Sequence, residues 1–75
     1  MNKLRRLEIS KIVNTLDTAS QSLADVIEAE QDYFDNIPEN LEGSERYESS
    51  EEALDQLNEV KESLDEVIQS LDNLD

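Results

Sequence analysis

The sequence contains no cysteine and no histidine. Without cysteine there is no disulfide and no thiol nucleophile. Without either residue, zinc and most transition-metal sites lose their usual ligands, and a serine lacks the base that would activate it. The single glycine excludes a phosphate-cradling loop, and the stretch from Asp32 to Gly43 lacks the alternating ligands of a calcium-binding helix-loop-helix. No apolar run is long enough to cross a membrane. Lys3, Arg5 and Arg6 imitate the charged start of a signal peptide, but Glu8, Ser10, Lys11 and Asn14 break up the apolar region that should follow. The expectations are therefore no catalytic residues, no cofactor, no metal and no membrane association, in a cytosolic protein. Carboxylates are abundant, but on solvated helices they lack the buried cleft that shifts a pKa into working range, so an enzyme is not expected.

What is present is acid. Twenty Asp and Glu face six Lys and Arg, for a net charge of −14 in 75 residues. The imbalance is local: residues 1–14 hold four cations and one acid, a sum of +3, while residues 15–75 hold two cations and nineteen acids, a sum of −17. Such a surface repels polyanions, so direct nucleic-acid binding is not expected and a basic protein partner is. A chain of this length forms at most one domain, residues 1–75, and its core is marginal alone. With neither disulfide nor metal to help, self-association is the remaining remedy, and a homodimer is expected.

The apolar residues are ordered. With Ile9 as heptad position a, positions a, d and e read Ile9, Ile12, Val13, Leu16, Ala19, Ser20, Leu23, Val26, Ile27, Glu30, Tyr33 and Phe34. With Leu57 as a, the second half reads Tyr47, Ser50, Ala53, Leu54, Leu57, Val60, Lys61, Leu64, Val67, Ile68, Leu71 and Leu74. Both patterns have helical spacing. Pro38 and Gly43 punctuate the segment between them, and Ser44 is a good N-cap; Ser49 and Glu52 offer a later capping box. The spacing predicts an all-α fold: helix one over about 3–35, a loop over about 36–43 and helix two over about 44–74. Each seam is wider than the a/d stripe of a two-stranded coiled coil, which points to an antiparallel helical hairpin that dimerises into a four-helix bundle, with Leu16, Leu23, Leu57 and Leu64 central in the dimer core.

Several finer expectations follow. A turn centred near Glu39 sets Arg6 opposite Asp72 and Lys11 opposite Glu66 and Val67, so that the basic start of helix one meets the acidic end of helix two. Such pairs, about 0–1 kcal/mol each when exposed, specify alignment more than they stabilise. Ile37 and Leu41 should close the loop end over Phe34 and Tyr47. Glu30, near the loop, should reach out to water. Thr15, Ser22, Ala29, Ser63 and Ser70, at position g, should permit close helix approach within the bundle.

The candidate partner surface is the outer face of helix two. Glu51, Glu52, Asp55, Glu59, Glu62, Asp65, Glu66 and Asp72 occupy positions b, c and f, a carboxylate stripe about 30 Å long at 1.5 Å per residue. It reads either as a solvated face that keeps a small bundle soluble, or as an imitation of a nucleic-acid backbone offered to a basic groove.

The string DNIPENLEGSERYE at residues 35–48 resembles a stretch of small, uncharacterised helical proteins of phages and mobile elements in Gram-positive bacteria. The likeness extends to the basic opening Asn2-Lys3-Leu4-Arg5-Arg6 and the acidic helix over 50–74. It implies a cytosolic protein in a bacterial host that modulates or inhibits a host defence or nucleic-acid-handling protein; it implies no site residues. Two other readings stand beside that one. In the first the chain is a structural or regulatory homodimer whose acids only solubilise it. In the second it sequesters a small ligand, with Lys3, Arg5, Arg6 and Lys11 forming an anion site where two chains pair.

Overall fold

A computed structural model describes residues 1–41 and 43–74. Helix α1 spans Lys3–Asp35 and helix α2 spans Glu45–Asp72, joined by a single 3-10 turn at Glu39–Leu41. The two helices pack against each other as an antiparallel hairpin, and no strand occurs among the described residues.

Each boundary has a local cause. Asn2 caps α1 by accepting the Arg5 N–H at 2.8 Å, and Ser44 caps α2 by accepting the Tyr47 N–H at 3.3 Å. Ser44 therefore stands just outside α2, with Glu45 and Glu48 in the first turn, where the helix dipole favours acids. At the other end of α1, Asn36 turns back on Asp32, giving its carbonyl both the backbone N–H (3.2 Å) and the side-chain amide (2.7 Å). Pro38 opens the 3-10 turn by accepting the Leu41 N–H at 2.9 Å. Gly43, at φ +82°, then reverses the chain in a conformation that a Cβ would strain.

The seam between the helices is narrower than the sequence pattern. The partly or fully buried residues of α1 are Ile9, Val13, Leu16, Ser20, Leu23, Ile27, Glu30 and Phe34, all at positions a and e. On α2 they are Tyr47, Ser50, Leu54, Leu57, Lys61, Leu64, Ile68 and Leu71 at the same positions, with Ala53 as an addition. Spacings of three and four alternate without a break, the 3.5-residue repeat of a two-stranded coiled coil. Phe34 stacks on Tyr47 with ring centroids 4.7 Å apart, and Ser50 bonds Glu30 at 2.7 Å. Residues facing each other thus have numbers adding to 80 or 81, a shift of about two or three residues from the alignment centred on Glu39. The turn residues Pro38 to Leu41, coiled as a 3-10 turn, account for the shift. Arg6 and Asp72 still border one recess at the open end of the hairpin. Lys11 forms no ion pair among the described residues.

Burial within one hairpin is shallow. Among the described residues only Val13 and Leu54 are buried apolar residues, at 8% and 6% exposure, accompanied by Ser20 and Ser50. Leu16, Leu23, Leu57 and Leu64, expected at the centre, are half-buried: they lie in row a, at the edge of the seam that opens towards row d. The rod measures 60 × 15 × 13 Å, with a radius of gyration of 17.3 Å, where a compact chain of this length would have roughly 11 Å.

At the loop, Ile37 is half-buried but Leu41 is exposed. At 36% exposure Leu41 is the more open of the two loop aliphatics.

Candidate interaction surfaces

The angular positions of a heptad sort the molecule into faces. At 100° per residue, rows a and e straddle the seam, row d lies about 80° to one side, row b about 80° to the other, and c points away. Because the helices run antiparallel, the d rows of α1 and α2 fall on the same side of the hairpin. The b rows share the opposite side.

The d side is open. Ile12, Val26 and Tyr33 on α1, with Val60, Val67 and Leu74 on α2, are all about half exposed. The small g residues flank this open side and are themselves exposed: Thr15, Ser22, Ala29, Ser63 and Ser70 take no part in the contact between α1 and α2. Thr15 is locally satisfied, its hydroxyl donating to the Lys11 carbonyl at 3.1 Å. A shallow groove bordered by Ser63, Glu66, Val67, Ser70, Leu71 and Leu74 runs along the C-terminal half of α2 on this side.

The acidic stripe occupies the b, f and c side of α2. Glu51, Glu52, Asp55, Glu59, Glu62, Asp65, Glu66 and Asp72 are all exposed, and among the described residues only Asp65 has an ion-pair partner. Asp65 departs from the others. One carboxylate oxygen accepts from Lys61 Nζ at 2.6 Å and the other from Ser20 Oγ of α1 at 2.6 Å. The Lys61 bond, with the Ser20 bond second, holds its carboxyl below the usual aspartate range. It belongs to the joint between the helices as well as to the outer stripe.

A second polar layer lies nearer the loop, where the Ser50 hydroxyl, 4% exposed, donates to Glu30. Glu30 therefore does not reach out to water; it is half-buried and hydrogen-bonded across the seam. These two layers escape the heptad pattern, although their signal is in the sequence. Ser20 and Glu30 interrupt the first seam, Ser50 and Lys61 interrupt the second, and each interruption faces one on the other helix. Buried polar groups are tolerated when they pair in this way.

At the open end, Met1, Arg6, Ile9, Ser10, Val13, Leu71, Asp72 and Leu74 surround a recess of about 200 Å³. No group of three or more acidic side chains among the described residues converges closely enough to hold a metal ion, and none of the described helices is long and apolar enough to cross a membrane. No family model, curated protein or solved structure matches the chain.

Proposed function

We propose that this chain is a non-enzymatic interaction module whose acidic α2 face binds a basic surface on a partner protein. The observation that carries the reading is the state of that face: all eight of its carboxylates are exposed, and among the described residues seven of them form no ion pair. Negative charges spaced along a rigid rod match what a nucleic-acid-binding groove is built to receive, and they accelerate encounter at low salt. The resemblance of the loop string makes the partner a defence or nucleic-acid-handling protein of a bacterial host, inhibited by occupation of its groove. Nucleic acid itself and membranes are not partners in this reading. The test is affinity capture from bacterial lysate at low and high salt, with Glu59→Lys, Glu62→Lys and Glu66→Lys combined as the control. A specific partner held at low salt, released at high salt and lost on charge reversal supports the reading; no partner at low salt sinks it.

A second reading is favoured by the exposed d rows: the chain is a homodimeric four-helix bundle whose acids only solubilise it. Self-association on the d side and partner binding on the acidic side use different faces, so one molecule can do both. Charge reversal separates the readings, since a purely structural dimer keeps its cellular activity when Glu59, Glu62 and Glu66 are reversed.

A further inference from the structure

Along most of its length the open side carries no charge; Arg5 and Glu8 near the start of α1 and Arg46 at the start of α2 fall in the same rows and mark its ends. From Ile12 to Tyr33 on α1 and from Ser49 to Leu74 on α2, rows d and g comprise fifteen positions, and not one is Asp, Glu, Lys or Arg. A chain that is 35% charged would place about five there if charges were scattered. Solubility explains the acids elsewhere; it does not explain their exclusion from one side of a rod. Between those bounds row d is also apolar and open to solvent, Val26 being 54% exposed and Val60 56%, while row g is made of small or uncharged polar residues.

The surface exceeds what the chain can comfortably leave in water. Its accessible area is 5817 Å², against roughly 4,700 Å² for a compact monomer of 8.6 kDa. The excess, about 1,100 Å², is on the order of what each partner buries in a stable protein interface. The geometry matches as well. Rows a and e point at one neighbour and row d points about 80° away, close to the right angle at which a helix in a square bundle meets its second neighbour.

We infer that a second copy of this chain docks on the d and g side, each α1 lying along the α2 of the other copy. This rests on the second reading, of the chain as a homodimeric four-helix bundle, and gives that bundle its arrangement. Charge selects the arrangement. Helix α1 carries four cations and seven acids, a net −3, and α2 carries two cations and ten acids, a net −8. Packing α2 on α2 would bring the two most acidic elements together. Packing α1 on α2 gives each α2 only α1 neighbours and sets the basic start of α1 beside the acidic end of α2 for a second time. The two-fold axis then runs parallel to the helices. Taking the seam alignment near 81, Ala19 of one copy lies about 3 Å along the axis from the level of Val60 in the other.

Because the chain has no cysteine, thiol cross-linking reads this arrangement directly. Ala19→Cys alone and Val60→Cys alone place like thiols on diagonal helices, so neither oxidises to a covalent dimer; an equimolar mixture of the two does. Val26→Glu weakens dimerisation on the order of a hundredfold, since the change occurs twice per dimer, while helical circular dichroism is retained. Salt strengthens self-association, because both copies are negative, and weakens capture of a basic partner, so failure of one reading is not mistaken for failure of the other. Efficient cross-linking of either cysteine variant alone overturns the arrangement. Absence of cross-linking in the mixture, or sedimentation of the unmodified chain as a monomer at high micromolar concentration and physiological salt, overturns the docking face altogether.

Discussion

Leu54→Ala tests what holds the hairpin together. Leu54 is 6% exposed, one of two buried apolar side chains among the described residues, and by the seam alignment it lies in the layer facing Ile27. Leucine-to-alanine changes in protein cores cost about 2–5 kcal/mol, the upper part of that range arising where a sealed cavity is left behind. The seam here is one side chain deep and open along its d edge, so water and neighbouring side chains can fill the gap, and the lower part of the range, about 2–3 kcal/mol, applies. A chain of 75 residues has a total stability of roughly 4–11 kcal/mol, so the loss is a large fraction of it. With a Tm shift of about 4–8 °C per kcal/mol for a domain of this size, melting should fall by about 10–20 °C. Thermal circular dichroism measures this, with Val60→Ala as the matched control on the open side. At low protein concentration Val60→Ala should cost less than about 0.5 kcal/mol, because the side chain is already half in water. Its cost should grow with concentration as dimers form. If Leu54→Ala costs under about 0.5 kcal/mol, or Val60→Ala costs as much in dilute solution, the division into a covered and an open row is wrong.

Three further outcomes follow from the polar layers and the turn. Ser50→Ala leaves the Glu30 carboxylate half-buried without its donor and should destabilise by about 1–3 kcal/mol in urea titration, whereas the same change in a Glu30→Leu background should cost little. Asp65 is held below its ordinary pKa by Lys61 and Ser20, so its contribution is complete above the aspartate range and disappears as pH falls through its lowered value. The stability gap between the native chain and Asp65→Asn should therefore be present at neutral pH and close in strong acid; a gap unchanged by pH refutes the assignment. Gly43→Ala, at φ +82° with nothing within 4 Å of the added Cβ, should cost about 1–2 kcal/mol from backbone strain alone, as read by chemical denaturation.

Much of this architecture is legible in the sequence because helical spacing, caps and chain breakers are local signals. The seams from Ile9 to Phe34 and from Tyr47 to Leu74, with Pro38 and Gly43 between them, define two helices and a turn without reference to the rest of the molecule. What escaped the pattern was relational. Rows a, d and e read as one broad face, since each helix presents all three; only the pairing of two helices shows that a and e meet while d remains outside. Glu30 read as a surface acid because its partner, Ser50, is twenty positions away. Asp65 read as one member of an outer stripe for the same reason, its bond to Ser20 spanning 45 positions. Ile37 and Leu41 read as equivalent loop aliphatics, and their aliphatic character does not predict that Leu41, at the end of the 3-10 turn, is the more exposed of the two.

The two kinds of layer in the seam divide the work of specifying this fold. The apolar layers built on Leu16, Leu23, Leu57 and Leu64 repeat every seven residues and are nearly interchangeable, so sliding one helix past the other by a heptad would preserve most of their burial. The polar layers do not survive that move. A slip of one heptad sets Glu30 against Leu57, without the Ser50 hydroxyl, and moves Ser20 from the level of Lys61 to that of Ile68. An unpaired, half-buried carboxylate costs more than the net worth of the hydrogen bond it has lost, and a single polar residue in an otherwise apolar seam is known to fix coiled-coil register in this way. The loop sets the alignment coarsely and the polar layers set it finely. That division matters on the open side too. Rows d and g contain no paired polar group, so a second copy packing there would take its alignment from the uneven charges of α1 and α2, and its energy from the aliphatic side chains that the hairpin leaves uncovered.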